Sequence, residues 1–217
     1  MTGAATRLVL WRHGQTDWND ARRVQGHTDT PINAHGRRQA AAAAALLAAL
    51  RPAAIAASDL SRAAQTAAVL GELTGLPVRL DARLRERFFG DFQGLHADEI
   101  AARFPAEYAR WRAGDPAPGR GVESLDDLAK RAAEAVRELA EAHPGQTVVA
   151  TCHGGTVRQC CAALLGWPPD GHRSLRGLAN CHWAELQYDR ERGWQLAAYN
   201  VGPDNPRRPD AEPGGAG

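Results

Sequence analysis

Hydrophobic and polar positions follow two rhythms along this chain. Short apolar runs at 7–11 (RLVLW), 53–57 (AAIAA), 77–80 (PVRL) and 147–151 (TVVAT) have the length of buried strands. Between them lie stretches with helical spacing, at 33–50, 61–74, 95–104, 105–113, 124–142 and 154–165. In the segment 124–142, Leu125, Leu128, Ala132, Val136 and Leu139 recur three or four residues apart and mark one apolar stripe. The punctuation agrees: Asn33 suits a helix N-cap, Ser124 with Asp127 three residues on resembles a capping box, and Gly75 then Pro77 stop the second helix. Segments 180–188 and 194–200, joined around Arg192-Gly193, predict a hairpin.

Strands that alternate with helices imply an α/β fold, a three-layer α/β/α sandwich with a mainly parallel central sheet. The expected organisation is one catalytic domain over 1–202, with a small helical cap inserted at about 90–122. GDPAPGRG (114–121) is its most flexible part and a candidate lid. Residues 203–217 are proline, glycine and charge and are expected to be disordered.

Composition narrows the function. A net charge of +1 gives no general attraction to nucleic acid or to an anionic membrane, so any anion site must be local. No stretch reaches the roughly 18 apolar residues of a membrane span, and the N-terminal residues show no secretory pattern. A cytoplasmic protein is expected. The four cysteines lack zinc-like pairing and read as small buried hydrophobes in a reducing compartment. His27, His35, His96, His143, His172 and His182 form no coherent ligand motif.

Three predicted strands end in reactive residues: LVLW runs into Arg12-His13, AIAA into Ser58-Asp59-Leu60-Ser61-Arg62, and VVAT into Cys152-His153-Gly154. Carboxyl ends of parallel strands share one edge of the sheet, so Arg12, His13, Arg62 and His153 should converge there. Two guanidinium groups match phosphate oxygens, and helices starting after Gly14 and Gly154 could add main-chain N–H donors. An imidazole beside two arginines tends to stay neutral, and a neutral imidazole can attack phosphorus. The leaving alkoxide then needs an acid. Glu86 in LRERFFGDFQG is the best candidate, among apolar Leu84, Phe88, Phe89 and Phe92; Asp91 and Glu99 are alternatives.

Taken together, LVLWRHGQTDWN, QGHTDTPIN, SDLSRAAQTA, LRERFFGDFQG and TCHGGTVR, in that order over about residues 7–165, resemble the phosphoglycerate-mutase-like branch of the histidine phosphatase superfamily. The resemblance implies that Arg12, His13, Arg62 and His153 form a phosphate pocket with His13 as nucleophile and Glu86 as proton donor. It also implies that Asn19 lines the phosphate site and that Gln25, Gly26 and Arg87 lie on the substrate side. Gly154 would let the backbone approach the phosphate, and no metal and no cofactor would be used, which fits the lack of a ligand motif among the six other histidines. The partner is then a small phosphorylated molecule.

The family divides into phosphatases and mutases. The short interval from Glu86 to His153 and the string GRGVESLDDLAKR resemble the phosphatases, whereas Arg85-Glu86-Arg87 is mutase-like. A phosphatase acting on a phosphate monoester is the favoured reading; a mutase using the same intermediate and a catalytically quiet phospho-ligand binder are the alternatives. The leaving group would be read by residues 22–27, 87–93 and 111–122. A homodimer through the alanine-rich helix or the hairpin is compatible with the pattern.

Overall fold

Alternation within the first strand sets the layering. In the computed structural model, which describes residues 5–168 and 171–205, β1 (Thr6–Arg12) sends Leu8 and Leu10 to one face of the sheet and Val9 and Trp11 to the other. Leu8 and Leu10 join α6 (Leu125–Glu141) and α7 (Gly154–Leu164) through Ala132, Val136, Leu139 and Val157. Val9 and Trp11 join α2 (Ala34–Ala49) and α3 (Ser61–Thr74) through Ala40, Ala43, Leu47 and Leu70. Each fully buried leucine stabilises the fold by about 1.5–3 kcal/mol relative to an exposed one. The alanine tract has a purpose in this arrangement, because small side chains let α2 lie close against the sheet.

The six strands run in the order β3-β2-β4-β1-β5-β6, with β2 at Ala54–Ala57, β3 at Val78–Leu80, β4 at Thr147–Cys152, β5 at Trp183–Asp189 and β6 at Gly193–Val201. Strands β1, β2, β3 and β4 are parallel, with Leu10 opposite Ala150 and Ala57 opposite Thr151. Strand β5 is antiparallel to both β1 and β6. The α/β/α architecture is therefore the one the pattern implies, and the loaded ends of β1, β2 and β4 meet at one edge.

Differences from the sequence reading are local and have local causes. The hairpin begins at Trp183, because Asn180 and Cys181 form a turn in which Cys181 adopts a φ of 58° and its carbonyl accepts the indole N–H of Trp11. The helix expected from 95 starts at Ala97 (α4, Ala97–Arg103), where the Glu99 carboxylate accepts the His96 N–H at 2.8 Å. Ser124 makes only half a capping box: its Oγ accepts the Asp127 N–H at 3.0 Å, but the Asp127 carboxylate takes the serine hydroxyl. One short helix, α1 (Asp17–Asp20), has too few residues to show a periodicity and is held by the reciprocal caps of Thr16 and Asn19.

The 90–122 segment carries α4 and α5 (Pro105–Ala113) and a small apolar cluster of Phe92, Ile100 and Val122, with Phe104, Tyr108 and Trp111 packed against it. Residues 203–205 of the expected disordered tail form a turn, closed by a bridge between Gly202 and Asn205, with Asp204 2.6 Å from His182. The rest of that tail, 206–217, lies outside the described residues. Cys152, Cys160, Cys161 and Cys181 are buried and unpaired. Among the described residues no helix is long and apolar enough to cross a membrane.

Candidate active site

His13 follows directly on β1 and is 3% exposed. Its Nδ1 lies 2.7 Å from the Gly14 carbonyl, which can only accept, so Nδ1 carries the proton and Nε2 keeps its lone pair. His153, fully buried at the end of β4, is the opposite tautomer. Arg62 donates from Nε to His153 Nδ1 at 3.2 Å, so that nitrogen is an acceptor and Nε2–H faces Ser58 Oγ at 2.9 Å. The two imidazoles stack at a tilt, with ring centroids 5.1 Å apart. Burial, then Arg62 and Arg12, hold His13 well below the ordinary histidine range; burial, Arg62 and His13 do the same to His153.

The two arginines are held by neutral groups. Arg62, in the first turn of α3, donates to Thr28 O at 3.0 Å and to Gly26 O at 2.6 Å besides His153. Burial lowers its pKa to about 10. Arg12 donates from Nη1 to Leu178 O, and its buried Nε has no hydrogen-bond partner among the described residues. A buried guanidinium N–H without an acceptor is costly, and a phosphate oxygen would satisfy it.

Main-chain N–H groups contribute less than the sequence suggested, because side chains already take them. After His13, Gly14 N–H goes to Thr66 Oγ1, Gln15 N–H to Gln39 Oε1 and Thr16 N–H to Asn19 Oδ1. At the start of α7, Gly155 N–H and Thr156 N–H go to the Glu86 carboxylate, at 2.9 and 3.2 Å.

Glu86 is thus positioned by polar contacts. Its Oε1 also accepts the Arg87 N–H at 2.8 Å, and it acts through space on both Arg12 and Arg62. Of the apolar residues near it in sequence, Leu84 belongs to the main core, Phe92 to the 90–122 cluster with Phe89 packed against that cluster, and Phe88 is exposed and packs on His27.

The other predicted residues divide into those that face the pocket and those that build its walls. Asn19 Oδ1 is committed to Thr16 and to Asn180 Nδ2, which leaves its amide N–H₂ to offer. Gln25 is buried, its Oε1 accepting from Thr16 and Thr30 hydroxyls, and Gly26 lends its carbonyl to Arg62. Arg87 bolts Glu123 O and Pro116 O together at 2.7 Å each. A β-carbon on Gly154 would sit 3.4 Å from Arg12 Nε, whereas one on Gly155 would lie 2.4 Å from Glu86 Oε1. The close approach of Glu86 to α7 therefore requires a glycine at 155. Asp91 and Glu99 lie away from the histidines, Asp91 against Arg120 and Glu99 in the α4 cap.

Ser58, Asn180 and Arg131 complete the site; Ser58 and Arg131 fall inside the strings SDLSRAAQTA and GRGVESLDDLAKR without being singled out there, and Asn180 falls in no motif. Asn180 donates to His13 O at 3.0 Å. Arg131 on α6 holds the main-chain carbonyls of Arg83, Arg85 and Glu86 at 2.7–2.8 Å while paired to Glu123. It fixes the segment that carries Glu86. Among the described residues, no three histidine, cysteine, aspartate or glutamate side chains gather to hold a metal.

The histidine phosphatase superfamily (branch 1) matches residues 8–202. The chain belongs to this superfamily. This histidine phosphatase is similar to glucosyl-3-phosphoglycerate phosphatase of Mycobacterium tuberculosis, 43% identical over 212 residues that cover 91% of this chain and 95% of the relative. It is similar to a metal-independent phosphoserine phosphatase of Arabidopsis thaliana, 38% identical over 158 residues, 70% of this chain and 66% of the relative. Its fold superposes on mycobacterial glucosyl-3-phosphoglycerate phosphatase solved with VO3 at a TM-score of 0.83 and 40% identity, over 89% of this chain and 98% of the other.

In this histidine phosphatase, buried neutral His13 and His153 bind protons less readily than in the unfolded chain, where histidine titrates near 6.5. Below that pH the unfolded state binds more protons, so stability falls with acidification, by up to about 1.4 kcal/mol per pH unit for each histidine. Thermal melts between pH 8 and pH 5 should show the midpoint dropping only below about 6.5, and the drop should shrink in His153→Asn. Gly155→Ala should push Glu86 off its N–H cradle and lower kcat/KM for an alkyl phosphate about 10- to 100-fold. The melting temperature should hold, since alanine is about 1 kcal/mol better than glycine in a helix. Steady-state kinetics beside a melt separates the two effects.

Proposed function

We propose that this protein hydrolyses a small phosphate monoester through a covalent phosphohistidine on His13, with Glu86 as proton donor. The observation that carries this reading is the pairing of fixed tautomers. Nδ1 of His13 is spent on Gly14 O, which presents Nε2 as a buried, neutral nucleophile beside two arginines tethered by carbonyls and an imidazole. The phosphatase names of its relatives support the same reading.

In the first step the Nε2 lone pair attacks phosphorus in line and the bond to the leaving oxygen breaks. Glu86 gives that oxygen its proton. Arg12, Arg62, the Asn19 amide and His153 steady the equatorial oxygens, whose charge spreads in a loose transition state. In the second step the Glu86 carboxylate takes a proton from water, the water oxygen attacks phosphorus, and the P–N bond breaks. Inorganic phosphate leaves and His13 regains its lone pair. The 90–122 segment shapes the leaving-group side, and four buried unpaired cysteines favour work in the reducing cytoplasm.

Brief incubation with a ³²P-labelled phosphate ester in the presence of EDTA, followed by an alkaline quench, tests this. Label should remain on the protein, map to the peptide containing His13, and be lost in acid. Stoichiometric turnover with no trapped label on any time scale would count against the covalent route.

A further inference from the structure

The loop between α1 and α2 touches both halves of the site at one residue. Arg62 is tethered by the carbonyls of Gly26 and Thr28, which flank His27 on either side. The His27 imidazole reaches the other half: its Nε2 lies 2.7 Å from the Glu86 carbonyl. A carbonyl only accepts, so Nε2 carries the proton and donates. The loop that holds one guanidinium of the phosphate clamp thus also holds the main chain of the proton donor.

Each end of this bridge is anchored separately. The Asp29 carboxylate accepts the Ser61 N–H at 2.7 Å and the Ser61 hydroxyl at 2.6 Å, which pins the loop to the first residue of α3, beside Arg62. Gln93 Oε1 accepts the His27 N–H at 2.6 Å. The His27 ring packs edge-on against Phe88, with centroids 5.2 Å apart. At the far end Arg131, on α6, donates to the same Glu86 carbonyl at 2.8 Å. Two donors therefore converge on one oxygen, one from α6 and one from the loop that carries the clamp.

The Glu86 carboxylate is gripped by N–H groups of Arg87, Gly155 and Thr156. Those contacts register the acid against α7, whereas Arg62 stands on α3. An acid works only within hydrogen-bond reach of the departing oxygen, and an error of about 1 Å can cost about 100-fold in rate. We infer that His27 is a positioning residue that sets the spacing between the clamp holding the phosphate and the carboxyl group that protonates the leaving oxygen. The role belongs to the side chain, since the loop's bonds to Arg62, Ser61 and Gln93 use main-chain atoms or Asp29. This inference rests on the phosphatase reading above, with Glu86 as the acid, and adds a residue to that mechanism.

Phenyl phosphate and p-nitrophenyl phosphate test it, because they differ little in shape while phenolate is the poorer leaving group. In His27→Leu, kcat/KM should fall about tenfold for phenyl phosphate and less than about threefold for p-nitrophenyl phosphate. The inhibition constant of inorganic phosphate should stay within about twofold of the native value, because Arg62 keeps its tethers. His27→Gln, whose amide nitrogen reaches the place of Nε2, should restore at least about half of the native rate on both esters. Made in Glu86→Gln, the leucine change should cost less than about twofold on phenyl phosphate, because the acid it positions is gone. Equal losses on the two esters, no rescue by glutamine, or losses that multiply in the double variant would overturn the role. If His27→Leu melts below the assay temperature, His27→Asn, whose amide stops at the place of Nδ1, carries the same expectation. If the native protein releases phosphate from neither ester, or Glu86→Gln loses equally on both, the reading of the site fails and this inference with it.

Discussion

His13→Ala should abolish turnover, with kcat falling at least about 10³-fold, and no phosphate label should be trapped on the protein. The size of the effect follows from the division of labour in the pocket. Arg12, Arg62 and His153 can bind and polarise phosphate without His13, but none offers a lone pair. Arg62 is a cation, and the Nε2 of His153 carries the hydrogen it gives to Ser58, while its Nδ1 accepts from Arg62. Water attacking directly would lack the covalent route. Phosphate binding should survive, because the donors that remain are intact, and isothermal titration with inorganic phosphate would show it. A variant that keeps full turnover would remove the phosphohistidine from the mechanism.

Glu86→Gln should produce a loss that depends on the leaving group. For an alkyl phosphate, whose alkoxide needs a proton as it departs, kcat/KM should fall about 10²- to 10⁴-fold. For p-nitrophenyl phosphate the phenolate leaves unaided, and the loss should be at least about tenfold smaller. Plotting log kcat/KM against leaving-group pKa for both proteins gives the readout: the variant should have the steeper negative slope. Parallel lines would show that Glu86 positions something without giving up a proton. The substitution is structurally mild in size but not in polarity, since the new amide must face N–H groups of Arg87, Gly155 or Thr156 that now point at an acceptor. The leaving-group comparison removes that common disturbance from the result.

Much of this site is legible in the sequence because strands announce where they end. A β-rich apolar run that breaks into Arg-His or Cys-His-Gly gives both the element and the edge where its last residue must lie. Four residues far apart in the chain can therefore be assigned to one point from the pattern alone. The same logic cannot supply contacts. Arg131 sits on the flank of a well-marked amphipathic helix, where an arginine reads as a solvated charge, yet it grips three carbonyls 45–48 residues away. Ser58 and Gly155 lie inside the motifs, but their importance depends on a partner from another strand or loop. The aromatic run around Glu86 misleads because hydrophobic neighbours in sequence need not be neighbours in space. Leu84 packs in the main core and Phe92 in the 90–122 cluster. The α7 N–H groups read as phosphate donors for a similar reason: the pattern places the helix start well, but a side chain from a remote segment takes two of them.

Arg12 and Arg62 are restrained by carbonyls and a neutral imidazole, and the Glu86 carboxylate acts on both only through space. If these two guanidinium groups clamp the ester as proposed, free orthophosphate should be held by the same contacts, with no carboxylate hydrogen-bonded to either arginine to drive it out. Accumulating phosphate should then slow the protein, and product inhibition would be a direct cost of leaving both guanidinium groups without a contacting carboxylate.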